Sequence, residues 1–71
     1  MADNGYFTST AIRNPGQGEL AEYIHLEPFF LCAESAAQAA AAVGGDVIQV
    51  QDEMGLAAIA DRNGNIVRRY I

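Results

Sequence analysis

Ser35-Ala36-Ala37-Gln38-Ala39-Ala40-Ala41-Ala42-Val43-Gly44-Gly45 is the stretch on which the fold turns, because it is the clearest helix in a chain otherwise rich in β-formers. Ser35 and Gln38 have capping-box spacing, Glu34 puts negative charge near the positive end of the helix dipole, and Ala is the strongest helix former. Gly44-Gly45 then supplies residues able to take the left-handed backbone that ends a helix. The spacing predicts one helix over Ser35–Val43. Nine small residues are too few to hold a helix in water, so this one must lie against something, and its small side chains suit a close approach to a sheet.

Downstream, Asp46-Val47-Ile48-Gln49-Val50-Gln51 alternates and is β-branched, which reads as a strand. Asp52-Glu53-Met54-Gly55 reads as a turn, and Leu56 to Asp61 as a second strand. Asn63-Gly64 is the strongest short-range hairpin signal in the chain, and it leads into a third strand over Ile66–Ile71.

Upstream, Tyr6 to Arg13 is aromatic and β-branched and reads as a strand, followed by turn residues in Asn14-Pro15-Gly16-Gln17-Gly18. Glu19 to Glu27 admits two readings. As a helix, Leu20, Tyr23 and Ile24 cluster, but Glu27 and Pro28 cut it short. As a strand, Leu20, Ile24 and Leu26 share one face with Glu22 as the misfit, and Glu19, Tyr23, His25 and Glu27 share the other; this second reading is preferred. Pairing the two strands across the five-residue loop sets Arg13 opposite Glu19, Ile12 opposite Leu20, Thr8 opposite Ile24 and Tyr6 opposite Leu26. Pro28 marks a bend or an edge, and Phe29-Phe30-Leu31-Cys32 reads as a short apolar run entering the core.

Short connections favour antiparallel neighbours, so the element order predicts a single α+β domain over residues 1–71, with residues 1–5 frayed. Its architecture is one antiparallel sheet of about five strands packed on one short Ala-rich helix. Thirteen of the thirty-six apolar residues are Ala, so the core is expected to be built from the other twenty-three. A core of this size rarely supplies more than ~3–5 kcal/mol. One helix cannot cover five strands, and the uncovered face or edge predicts a homodimer, with Ile66–Ile71 as the contacting edge.

Composition bounds the chemistry. The net charge is −5, with nine acids against four bases, and all four bases are Arg: Arg13, Arg62, Arg68 and Arg69. That is poor equipment for neutralising phosphates, so direct nucleic-acid binding is not expected, whereas a basic partner is favoured. A single Cys and a single His cannot make an internal disulfide or close a structural zinc site, so no metal and no cofactor is expected. Cys32 reads as a buried, inert thiol. With no basic leader and no apolar run near the ~20 residues a bilayer requires, a cytoplasmic protein without a membrane span is the reading.

No constellation points to an enzyme. His25 and Glu27 share a strand face, yet a lone strand histidine beside a carboxylate falls short of a catalytic arrangement. Gly16 and Gly18 lack the third glycine of a dinucleotide fingerprint. Asp46, Asp52, Glu53 and Asp61 do not follow a calcium-loop pattern. What remains is a surface: Glu19, Tyr23 and Glu27 projecting together, and the Asp52-Glu53 turn, as partner-binding residues, with Tyr supplying contact area and the carboxylates selecting positive charge.

From Phe29 to Ile71, the order strand, Ser35-capped Ala helix, strand and Asn63-Gly64 hairpin in a small acidic chain resembles the compact phage-encoded anti-CRISPR inhibitors. The resemblance lies in element order, not in a residue motif, so it transfers no functional residue. It implies a non-enzymatic inhibitor that binds a basic surface of a larger protein or nucleoprotein complex, the bacterial interference complex. The alternative is a small self-assembling structural or accessory protein of phage or bacterial origin.

Overall fold

The computed structural model describes residues 6–14 and 20–70, the side chains of 27–29 excepted. The reading of residues 1–5 as frayed and the Pro15–Gly18 turn therefore lie outside the described residues. Five strands and one helix follow in the order β1 (Phe7–Arg13), β2 (Glu22–Phe30), α1 (Ala33–Ala42), β3 (Val47–Asp52), β4 (Gly55–Asp61) and β5 (Ile66–Arg69). The strands form one antiparallel sheet in the order β2-β1-β3-β4-β5, and α1 packs on one face of it, across β1 to β4. This is the α+β architecture expected from the sequence.

The helix begins earlier than Ser35. Cys32 is the N-cap residue, in extended backbone and without a side-chain capping bond, and the first helical hydrogen bond runs from the Ala36 N–H to the Cys32 carbonyl. Ser35 therefore sits inside the first turn, where its hydroxyl meets the Cys32 Sγ at 3.1 Å. At the other end the Val43 and Gly44 N–H groups donate to the Ala40 and Ala41 carbonyls, and Gly44 takes φ +94°, as a glycine stop requires.

The core overturns the expectation that the larger apolar residues build it. Among the described residues, eight of the ten buried apolar residues are alanines, Ala11, Ala33, Ala36, Ala37, Ala40, Ala57, Ala58 and Ala60, beside the larger Ile48 and Val50, and all but Ala57 belong to one cluster with the helix. The reason is separation. An Ala-faced helix seats so close to the sheet that the strand positions beneath it must also be small. Gly45, where the chain leaves the helix, shows how close the layers run: a Cβ there would stand 2.8 Å from the Ala11 Cβ. Phe7, Ile24, Leu26, Phe30 and Ile66 ring this centre as partly buried side chains.

That closeness also decides the register of the first hairpin, which differs from the sequence reading. Arg13 pairs with Glu22, Ile12 with Tyr23, Ala11 with Ile24, Thr10 with His25 and Ser9 with Leu26, a shift of three residues along β2. An odd shift reverses which face of β1 meets the core. Ala11 and Ser9 go under the helix, whereas Ile12 turns to the opposite face. Leu20 and Tyr6, expected in the core, are exposed, Leu20 at 90%.

Pro28 lies on the edge strand, and the β1–β2 register is interrupted between the Ser9–Leu26 and Phe7–Phe30 pairs, the stretch of β2 that contains it; edges and bulges are where proline is tolerated. The run after it does not enter the core as a unit: Phe30 packs at its margin, whereas Leu31 is 84% exposed and Cys32 is exposed.

The β4–β5 turn is tied down by Asp61. Its Oδ1 accepts the Asn63 and Asn65 N–H groups, its carbonyl accepts the Gly64 N–H, and its own N–H donates to the Asn65 carbonyl. Gly64 takes φ +84° and abuts the helix, where a Cβ would lie 3.1 Å from the Gln38 Cα. The Asn-Gly signal thus marks both a turn and a contact between layers. No described helix is long and apolar enough to cross a membrane.

Candidate functional site

Because side chains alternate along a strand, the residues between the core positions project to the face that α1 leaves uncovered. They fall in rows across the sheet. One row joins Tyr23, Ile12, Val47 and Asp61; the next joins His25, Thr10, Gln49, Ile59 and Arg68; a third joins Thr8, Gln51 and Leu56. The central rows are polar and linked: the Thr8 hydroxyl donates to Gln51 Oε1, Gln51 Nε2 donates to Thr10 Oγ1, and Thr10 Oγ1 meets His25 Nδ1 at 3.1 Å. With His25 in the Nε2–H tautomer, Thr10 donates to Nδ1 while accepting from Gln51, so both roles of the hydroxyl are used. His25 is thereby engaged with a hydroxyl, an arrangement that holds its ring in place on an exposed surface.

Of the residues read from the sequence as partner-binding, Tyr23 is on this open face and 68% exposed, next to Ile12, with Val47 on the far side of Ile12. Glu19 lies outside the described residues, as does the side chain of Glu27, so their grouping with Tyr23 is left at the sequence level. Asp52 and Glu53 sit at the β3–β4 turn, at the other end of the strands. Val47, in the Tyr23 row, and Asp52 are five steps apart on β3, about 17 Å at the rise of a strand. The fold therefore separates Tyr23 from the Asp52-Glu53 turn.

The β3–β4 turn has a geometry that the sequence did not disclose. Asp52 Oδ1 accepts the Met54 N–H at 2.7 Å, an Asx turn that directs the tip back towards the start of β1. Asp52, Glu53 and Met54 there enclose, with Tyr6 and Phe7, a concavity of about 170 Å3. Tyr6, Phe7 and Met54 had no functional reading in the sequence; forty-five residues of chain separate β1's first residues from this turn, and only the β1–β3 pairing brings them together.

The charges around the molecule are unevenly compensated. Arg13 pairs with Glu22 at 3.6 Å, Arg62 with Asp46 at 3.8 Å, and Arg69 with Glu34 across from β5 to α1. The Arg69 guanidinium, hydrogen-bonded to the Glu34 carboxyl, lowers its pKa from the ordinary 4.5. Among the described residues neither Asp52 nor Glu53 has an arginine partner, and Arg68 has no carboxylate partner.

Cys32 corrects the expectation of a buried, inert thiol: it is exposed, and its pKa lies below the ordinary 9.0, first because of the Ser35 side-chain hydrogen bond and then the Ser35 backbone N–H. The sequence signal was present in its position just before the helix, where the N-terminal amides favour a thiolate. Among the described residues, no group of three or more His, Cys, Asp or Glu side chains is placed to hold a metal ion. No family model matches the chain, and no curated protein or solved structure matches it either.

Proposed function

We propose that this chain is a non-enzymatic protein-binding module that docks on a basic surface of a larger protein or nucleoprotein complex. The observation that supports it best is the distribution of uncompensated acid. Three of the four arginines are committed to Glu22, Glu34 and Asp46, so the net negative charge is presented at positions such as Asp52 and Glu53. These carboxylates stand beside exposed apolar side chains, Met54 at 93% exposure above all, and an interface needs both contact area and charge selection. The specific form of this reading is a phage-encoded inhibitor that occupies the basic surface of a CRISPR interference complex. The test is direct binding of the purified chain to such complexes, with cleavage of target DNA as the functional readout. Salt-sensitive binding together with lost cleavage supports it. Absence of binding at micromolar concentration across the complexes assayed removes the inhibitor assignment, and absence of binding to basic proteins generally removes the reading itself.

A second reading, self-assembly, is favoured by β5. It is an edge strand with Val67 exposed on it and Tyr70 exposed just beyond it, and an unpaired edge is a template for another chain. We propose Ile66–Ile71 as the contact of a homodimer on this reading. Light scattering coupled to size exclusion tests it: a mass that stays monomeric at high micromolar concentration rules it out.

A further inference from the structure

We infer that the concavity formed by Tyr6, Phe7, Asp52, Glu53 and Met54 is a socket for one arginine side chain of a basic partner protein. This rests on the protein-binding reading above and names the group that the partner supplies.

Size is the first argument. Cavities that take whole small molecules run to roughly 300–1,000 Å3. At about 170 Å3 this one has room for a single long side chain. The character of its walls is the second. Two aromatic residues and a methionine offer apolar surface, and two carboxylates stand on the same turn. An occupant that satisfies both must be amphipathic along its length: an aliphatic stem for Met54 and Phe7, and a cation for Asp52 and Glu53.

Charge complementarity is the third. Asp52 and Glu53 have no arginine partner among the described residues, although Glu22, Glu34 and Asp46 each have one. Asp52 spends Oδ1 on the Met54 N–H, which fixes the carboxylate in place and leaves Oδ2 to accept from a ligand. Between the two natural cations the walls select guanidinium. It is planar, stacks on aromatic faces such as those of Tyr6 and Phe7, and presents several donors to two acceptors at once, whereas ammonium is a compact and strongly hydrated point charge.

The experiment is an amide-resolved NMR titration of the 15N-labelled chain with N-acetyl-arginine amide, in parallel with the lysine and norleucine analogues. The expected result is saturable shifts confined to Phe7, Asp52, Glu53 and Met54 and their neighbours, with arginine at least fivefold tighter than lysine and no saturation by norleucine. Asp52→Asn combined with Glu53→Gln keeps the acceptor that holds the turn and is expected to weaken arginine at least tenfold, in a protein whose remaining amide spectrum is unchanged. Met54→Ser keeps both charges and is expected to weaken it severalfold, which charge attraction alone would not do.

Equal response to arginine and lysine overturns the proposal. So do shifts spread evenly over Glu22, Glu34 and Asp46. Concentration-dependent dimerisation that perturbs the same residues and is abolished by Arg68→Ala also overturns it, since the occupant is then a second copy. If a basic partner binds the chain unaffected by the double variant, the socket fails while the protein-binding reading stands.

Discussion

The two faces of the sheet solve opposite problems with neighbouring residues of the same strands. Beneath the helix, Ala11, Ile48, Val50, Ala58 and Ala60 meet Ala33, Ala36, Ala37 and Ala40 in a dry contact with almost no large side chains. On the other face, Thr8, Thr10, Gln49 and Gln51 join His25 in a hydrogen-bonded lattice that water can reach. Side-chain volume governs the first face and polar pairing the second. The difference teaches that a small domain poor in bulky residues can gain its fit from closeness between layers, at the cost of tolerating almost no added volume there.

Enlarging the covered face is the strongest way to break this contrast. Ala40→Leu adds volume where no space exists and is expected to cost about 3 kcal/mol, at the upper end for overpacking and a large part of the ~3–5 kcal/mol that such a core rarely exceeds. Gln49→Leu, a comparable apolar gain on the open face, is expected to change stability by less than about 0.5 kcal/mol. Urea denaturation of both proteins checks the pair, and equal effects would mean that the two faces are packed alike.

At the hairpin that touches the helix, Gly64→Val is expected to cost about 1–3 kcal/mol, since a β-branched residue is strained at positive φ and its Cβ meets Gln38. An unchanged denaturation midpoint would contradict this turn geometry. Adjacent hydroxyls on β1 sharpen the comparison further. Ser9 is fully buried under the helix and its Oγ has no hydrogen-bond partner, whereas Thr10 is bonded to Gln51 and His25. Ser9→Ala is therefore expected to be neutral or to stabilise by up to ~1 kcal/mol, and Thr10→Val to destabilise by about as much. Opposite signs in one thermal-denaturation series are the outcome to look for.

Smaller effects are expected at the exposed helix N-terminus. The folded Glu34 carboxyl titrates below its ordinary 4.5, so the stability from its pairing with Arg69 is present above pH 4.5 and lost as pH falls through the folded value. Glu34→Gln should make the acid limb of the stability profile shallower and leave neutral pH nearly unaffected, because exposed pairs are screened. Cys32 is expected to react with iodoacetamide in the folded protein at neutral pH faster than an ordinary thiol peptide. Protection until unfolding would contradict its exposure.

Much of the fold was legible in local chemistry. The Ala run with its double-Gly stop, the alternation of Val47 to Gln51 and the Asn63-Gly64 turn each act over a few residues, so their signals survive in the sequence. The candidate site was legible in part: Asp52 and Glu53 could be singled out as a charged turn, and Tyr23 as an outward aromatic. The socket could not be seen, because Tyr6 and Phe7 reach Met54 only through the pairing of β1 with β3, whose partners Thr8 and Gln51 are 43 residues apart.

The sequence by itself determined the element types, their order and the acidic surplus, because propensity, turn chemistry and net charge belong to residues or short runs. Tertiary structure alone decided which apolar residues became the core, which face of β1 met the helix and which of the described carboxylates kept no arginine. Those outcomes depend on the distance between layers. An alanine helix can approach only where the strand beneath is also small, and that condition placed Ser9 and Ala11 inward and Ile12 outward, reversing the face that hydrophobicity alone favours.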